Sequence, residues 1–359
     1  MIRPGNKQRF RNALAHRFTG EVPFFELYVD KDLVDRVLGR PLGTHMLQLP
    51  SRDYVEFLQR TGMDVAYLYE GWFFGRHNQT DEHGRVHYMD GTIKSRADFD
   101  QIQPPSLDPV RRRIESYLEA AADTKLGCVY ALDMACTIAN TAIGPTDFLL
   151  ALHDDPAFVQ EFMDRVEEYT LPLVDCVSRY PVDACFVTGI QCGTAGPLVS
   201  RAMHEEFLFP RIEKVLRRLR AAQIPVILHT DGDNTMFLDW ILEAKIDGMH
   251  PIQPAAWPWD IYELKRRHGE QLCLFGNIDV AGVLSQGTPA DVARDTLAHL
   301  EALAVGGGYV CGSSHDIGEN VPYENFMALA ETICSYRAPL GDPPTCHDRD
   351  RQPAAALPV

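Results

Sequence analysis

The chain has 359 residues, 45% hydrophobic and 23% charged, with a formal net charge of −16. The composition is that of a globular protein. Its acidity argues against nucleic acid or an anionic membrane as partner, and against a polyanionic substrate unless basic residues line the pocket. No run reaches the ~18 apolar residues of a membrane span, and MIRPGNKQRFRNALAHRF lacks a signal-peptide core. The nine cysteines include no CxxC pair, so the expectation is a cytoplasmic protein with reduced thiols. Cys128, Cys176, Cys185 and Cys273 sit in apolar stretches and read as core.

In chain order, eight short apolar segments read as strands: VPFFELY (22–28), DVAYLYE (64–70), CVYALD (128–133), ACFVTG (184–189), PVILH (225–229), GMHPI (248–252), LCLFGN (272–277) and YVCGS (309–313). Helical periodicity fills most of the gaps, as in DPAFVQEFMDRVEEYTLPLVDCVSRY and TPADVARDTLAHLEALA. Alternation of this kind predicts an α/β fold, a (β/α)8 TIM barrel. A doubly wound open sheet is weaker, because no GxGxxG follows the first strand. TDEHGRVHYMDG predicts a hairpin insertion within 71–96, turning at His83-Gly84. The sequence shows no internal repeat and no interdomain linker, so one domain is expected over 1–340. Residues 341–359, rich in Pro, Ala and Asp, read as a disordered tail whose Cys346 and His347 are not ligands.

Strand C-termini of a parallel barrel share one mouth, so the residues ending these segments form a candidate site. His229 and Asp231 are spaced i, i+2, which on a strand puts both on one face. A His and a carboxylate so placed can share a metal, or act as a base and its orienting partner. His250 ends the sixth strand, and Cys311 and His315 follow the eighth. The expected metal ligands are His229, Asp231 and His315, with Cys311 as a substitute. Glu26, Glu70, Asp133 and His250 are the expected acid–base groups. Gln191, Asn277, Asp279 and Trp257 are the expected substrate contacts. For Asp279, capping of the next helix is an equal alternative. Trp257 and Trp259 either cover a flat ligand or pack back on the rim. Only Arg76 among the arginines is near a strand end, which disfavours a substrate with many carboxylates.

The run VTGIQCGTAGPLVS, HTDGD, HPIQP, GNID, GGGYVCGSSHDI and VPYENFMAL, with the opening NKQRFRNALAHRFTGEVPFFE, resembles the uroporphyrinogen decarboxylase superfamily over about residues 5–337. That resemblance implies a TIM barrel and one of two chemistries. True uroporphyrinogen decarboxylases carry an RQAGRY-like segment after the first strand, where this chain reads FFELYVDKD. They also carry an acid after the fourth strand, where Thr188 stands here. The other branch holds corrinoid-dependent methyltransferases that bind zinc through His-x-Cys and a later Cys. Here His229 fills the first position, Asp231 the second, and the third falls nearer His315 than Cys311. The resemblance therefore implies an enzyme nearer the methyltransferase branch, using zinc or another divalent metal. It would act on a small methylated substrate or a corrinoid-bound methyl group. A His-Asp-His set around a dication is formally +1, a stronger Lewis acid than a His-Cys-Cys set and a weaker activator of a thiolate. No DxHxxG signature occurs, so a corrinoid would arrive on a partner protein. A metal-free decarboxylase of a small carboxylic acid, and a non-catalytic ligand-binding member, are the alternatives. A homodimer is compatible with the resemblance.

Overall fold

A computed structural model describes residues 1–82, 84–100 and 102–338. The expected tail, with Cys346 and His347, and His83 at the hairpin turn lie outside the described residues. Seven parallel strands form one sheet: β1 (Val65–Leu68), β4 (Gly127–Leu132), β5 (Ala184–Val187), β8 (Val226–His229), β9 (Gly248–His250), β10 (Cys273–Phe275) and β11 (Tyr309–Val310). Two antiparallel ribbons interrupt the series. They are β2 (Arg76–Thr80) with β3 (Val86–Gly91), and β6 (Cys192–Gly193) with β7 (Gly196–Pro197).

The expected first strand closes the barrel. Phe25 N donates to Cys311 O at 3.1 Å and Cys311 N to Pro23 O at 3.0 Å on one side, and Asp64 N to Phe24 O at 3.1 Å on the other. It makes isolated bridges rather than a continuous ladder, partly because Pro23 has no N–H to give. The eight-stranded barrel read from the sequence is therefore the fold, with strands shorter than their apolar segments.

Side-chain parity divides the core. Val65, Tyr67, Val129, Ala131, Phe186, Ile227, Phe275 and Val310 pack inside the barrel with Phe25. The intervening Leu68, Tyr130, Leu132, Val187, Leu228, Leu274 and Tyr309 meet the surrounding helices. This is the period of two that a pleated strand imposes. Helix Lys7–Leu14 plugs the base through Phe10, Ala13 and Leu14. Outer helices start at the caps their sequences supply. Asp30 accepts from Asp32 N before Lys31–Leu38, and Thr288 and Asp291 form a capping box before Pro289–Leu303.

The base carries a repeated stitch. Asp64 precedes β1 and accepts Phe24 N at 2.9 Å. Asp183 precedes β5 and accepts Cys128 N at 2.9 Å. Asp247 precedes β9 and accepts Val226 N at 2.7 Å. Each returns its own N–H to the carbonyl of that same residue. The sequences DVA, DAC and DGM share only the aspartate, so no repeat shows in the chain itself. Arg9 and Arg11 of the plug pair with Asp64 and Asp183. No single helix among the described residues is long and apolar enough to cross a membrane.

Candidate metal centre in the barrel mouth

His229 is the last residue of β8 and follows the inward-facing Ile227, so parity aims it into the mouth. The loop after it is tightly held. Asn234, fully buried, accepts from Thr230 Oγ1 at 2.8 Å and donates to Asp231 O at 3.1 Å and Gly232 O at 3.0 Å. Gly232 N donates to Gln253 Oε1 at 2.8 Å. Gly232 has φ +77°, and a Cβ there would lie 2.3 Å from Gly193 O, so only glycine fits. Asp231 is thereby fixed on a rigid turn. Its Oδ1 lies 3.1 Å from His315 Nε2.

His229, Asp231 and His315 each bring one ligand atom within 4.8 Å of the other two. Two imidazoles and one carboxylate at this spacing are a donor set suited to zinc or a similar dication. Burial lowers His229 to about 4, so it is neutral. Burial also opposes the charge on His315, but the Asp231 hydrogen bond and the nearby Asp316 carboxylate override it and raise His315. Asp231 is lowered, because its His315 contact outweighs desolvation. His315 Nε2 therefore donates a charge-assisted hydrogen bond to the Asp231 carboxylate.

The imidazoles differ in their second contacts. His315 Nδ1 accepts Asp316 N at 2.7 Å, which puts the ring hydrogen on Nε2, towards Asp231. Asp316 Oδ1 sits 3.5 Å from the same Nδ1 and is a buried oxygen without a hydrogen-bond partner among the described residues. A ligating imidazole commonly gives its other N–H to such a carboxylate, so this orphan oxygen fits a metal-loaded His315. His229 Nδ1 lies 3.0 Å from His250 Nδ1. His250 is buried against Phe25, Phe186 and Phe275, and burial lowers it well below the usual imidazole range.

The remaining expected residues divide. Glu26 lies in the seam between the first and last strands. Its Oε1 accepts Ser313 N at 2.9 Å, its Oε2 meets Ser313 Oγ, and that hydroxyl also meets His315 O. Burial pushes Glu26 up to about 8 against the Ser313 hydrogen bonds, so near neutral pH it is an uncharged acid bracing the His315 loop. Asp133 follows inward Ala131, is raised by burial, and accepts from Tyr69 OH and from Thr188 Oγ1 at 3.5 Å. Glu70 is not part of this mouth. It has the outward parity of Leu68, and its charge is felt by Arg113, Tyr130 and Tyr169 of the outer layer. The inward partner at this strand end is Tyr69.

Cys311 shares the outward parity of Tyr309 and is absent from the three-residue cluster, its thiol pushed up to about 12 by burial. It does not serve as the substitute ligand in this arrangement. Asn277 is turned to the helix layer, with Oδ1 3.1 Å from His299 Nε2. Asp279 Oδ1 accepts Ala281 N at 3.0 Å in a local turn, and the helix that follows, Val283–Gln286, has Gly282 rather than Asp279 at its N-cap. Gln191 is held by its main chain, donating to His204 Nε2 at 3.2 Å. Trp257 is buried in the outer cluster, its Nε1 without a hydrogen-bond partner among the described residues.

Sequence reading missed Tyr69, Thr188, Asn234, Gln253, Ser313 and Asp316. Parity from Ile227 and Tyr67 would have found Tyr69, and adjacency to His315 would have flagged Asp316. The hairpin Arg76–Gly91 spans the rim. Arg76 bonds Thr141 Oγ1 at 3.0 Å and lies 4.5 Å from the Phe73 ring, while Arg85 reaches Asp30, Asp32 and Glu319 at 3.3, 2.9 and 2.8 Å.

Comparison with known proteins agrees with this architecture. The uroporphyrinogen decarboxylase of Coxiella burnetii is 23% identical over 261 residues, 68% of each chain. That of Serratia proteamaculans is 21% identical over 296 residues, 77% of this chain and 80% of the relative. A methyltransferase from Methanosarcina mazei superposes with a TM-score of 0.71 at 16% identity, covering 91% of this chain and 97% of the other. The model of the family described as uroporphyrinogen decarboxylase (URO-D) matches residues 70–336. The chain belongs to the uroporphyrinogen decarboxylase family.

Proposed function

We propose that the protein is a metal-dependent, methyltransferase-type member of this family. It would act on a small methylated substrate or on a corrinoid-bound methyl group presented by a partner protein. The observation that carries the reading is the convergence of His229, Asp231 and His315, from strand ends far apart in sequence. A divalent ion, zinc by preference, would be held by these three and supply Lewis acidity to a bound acceptor or carbonyl. The chain's own groups do the rest. Asn234 and Gln253 hold the Asp231 turn, the Glu26–Ser313 pair braces His315, and the Tyr69–Asp133 pair stands ready to hold or move a proton across the mouth. The likeness to the Methanosarcina mazei methyltransferase supports the fold on which this reading rests.

The test is elemental analysis of the purified protein beside His229→Ala, followed by turnover with methylated donors and thiol or corrinoid acceptors. One divalent ion per chain, lost in the variant, with methyl transfer, supports the reading. Absence of metal binding at micromolar zinc refutes it.

A second reading is decarboxylation of a small carboxylic acid without metal. The His315 Nε2–H beside Asp231 favours it, because an imidazole N–H in the mouth can protonate a carbanion-like carbon. Release of carbon dioxide, unaffected by a chelator, distinguishes the two.

A further inference from the structure

Two imidazole nitrogens in hydrogen-bond contact need one hydrogen between them. His229 Nδ1 and His250 Nδ1 lie 3.0 Å apart, with the rings at 24° and their centroids 5.1 Å apart. One nitrogen donates and the other accepts, and the choice fixes what His229 can do at its other nitrogen. If His229 accepts, its hydrogen sits on Nε2 and no lone pair is left for a ligand. If His229 donates, Nε2 is bare.

Ligation by His229 is compatible only with the second arrangement. His250 is 4% exposed. The rings of Phe25, Phe186 and Phe275 stand at 84°, 74° and 79° to the imidazole, with centroids 5.8, 5.5 and 6.2 Å away. These walls leave the His229 contact as the hydrogen bond of His250 Nδ1. A lone pair on His229 Nε2 requires the shared hydrogen on His229 Nδ1, and so a lone pair on His250 Nδ1.

We propose that His250 is a positioning residue rather than an acid–base catalyst: it accepts the Nδ1 hydrogen of His229 and leaves the His229 Nε2 lone pair free for a divalent ion beside Asp231 and His315. This rests on the metal reading above and adds an asymmetry to it. His229 is preset as a ligand. His315, whose Nδ1 accepts the Asp316 N–H, has to exchange its ring hydrogen before it ligates.

The experiment is zinc affinity of the full-length protein by chelator competition, with cobalt absorption as a second readout of the coordination shell. His250→Leu removes the acceptor and should weaken zinc binding ~10–100-fold, the range for loss of an outer-shell partner. His250→Asn places an amide oxygen where Nδ1 was and should restore affinity to within about threefold of the parent, the residual cost of a similar but not identical hydrogen bond. Parent-like affinity in a folded Leu variant, or an Asn variant as weak as Leu, overturns the proposal. Should His250→Leu fail to fold, nitrogen-15 spectra of metal-free parent protein decide it. Hydrogen on His229 Nδ1 is expected, and hydrogen on Nε2 refutes the role. A parent protein that binds neither zinc nor cobalt defeats the metal reading itself, while the same spectra still report the His229–His250 tautomer.

Discussion

The two ends of the barrel treat carboxylates in opposite ways. At the base, Asp64 accepts Asn6 N and Phe24 N and pairs with Arg9, which also reaches Glu21. Asp183 accepts Cys128 N and pairs with Arg11. At the mouth, Asp316 raises both Glu26 and Tyr28, is itself raised by burial and by Asp231, and keeps an oxygen without a hydrogen-bond partner among the described residues. Both ends bury acids, but Asp64 and Asp183 at the base meet arginines, whereas Asp316 at the mouth meets no Arg or Lys among the described residues. The contrast teaches where the fold is finished and where it waits for something else. In barrels of this kind the lower face serves stability and the upper face chemistry.

Substitutions can break that contrast, and the largest effect belongs to the mouth. His229→Ala should weaken zinc binding beyond the ~10–100-fold of an outer-shell change while leaving the urea midpoint near that of metal-free parent protein. The base should answer in the reverse sense. Asp64→Ala leaves Arg9 buried beside an empty acceptor site and should cost about 3–5 kcal/mol in urea unfolding, with zinc affinity unchanged in the fraction that stays folded.

Glu26 sharpens the comparison through pH. Its folded value is raised from 4.5 to about 8, so the folded state holds a proton that the unfolded chain has released. Its contribution to stability therefore falls as pH rises from about 4.5 to 8 and is flat outside that window. Glu26→Gln, shaped like the protonated acid, should remove a decline on the order of 4 kcal/mol between pH 5 and 9. Parallel pH profiles for parent and variant would show that Glu26 ionises freely.

The smallest effect is expected at the hairpin. Arg85→Ala should change global stability by under ~1 kcal/mol, as for exposed ion pairs. It should nonetheless speed subtilisin cleavage within residues 76–91, read by mass spectrometry. Unchanged cleavage would show that Asp30, Asp32 and Glu319 do not hold the strand tip.

Much of this was legible in the chain. Apolar strand ends with His229, Asp231 and His315 sufficed for both the barrel and the meeting of these three side chains, because strand order and period carry that information. Glu70 and Cys311 were misplaced for one reason. Reading which residue ends a strand ignores which face it occupies, and each sits one step off the inward register. Asn277 and Asp279 follow β10 where the chain leaves the pleat, and their partners, His299 and Ala281 N, depend on how the loop turns. The supporting set of Asn234, Gln253 and Ser313 bears no chemical signature of its own. It acts through main-chain groups that come together only in the folded molecule.

The aspartate stitches at the base join the first strand to the second, the third to the fourth and the fifth to the sixth. The seventh and eighth have no equivalent acid. Their junction is held instead by the Lys265 ammonium, which donates to Gly307 O and to Gly308 O at 3.3 Å, and β10 and β11 pair over only two residues each. The barrel thus resembles a belt with three riveted links and one buckle. In a hydrogen–deuterium exchange experiment the Phe24, Cys128 and Val226 amides, each locked to a carboxylate, should outlast the Leu274 amide at the buckle. Thermal opening of the ring should begin there, beside the seam that carries His315.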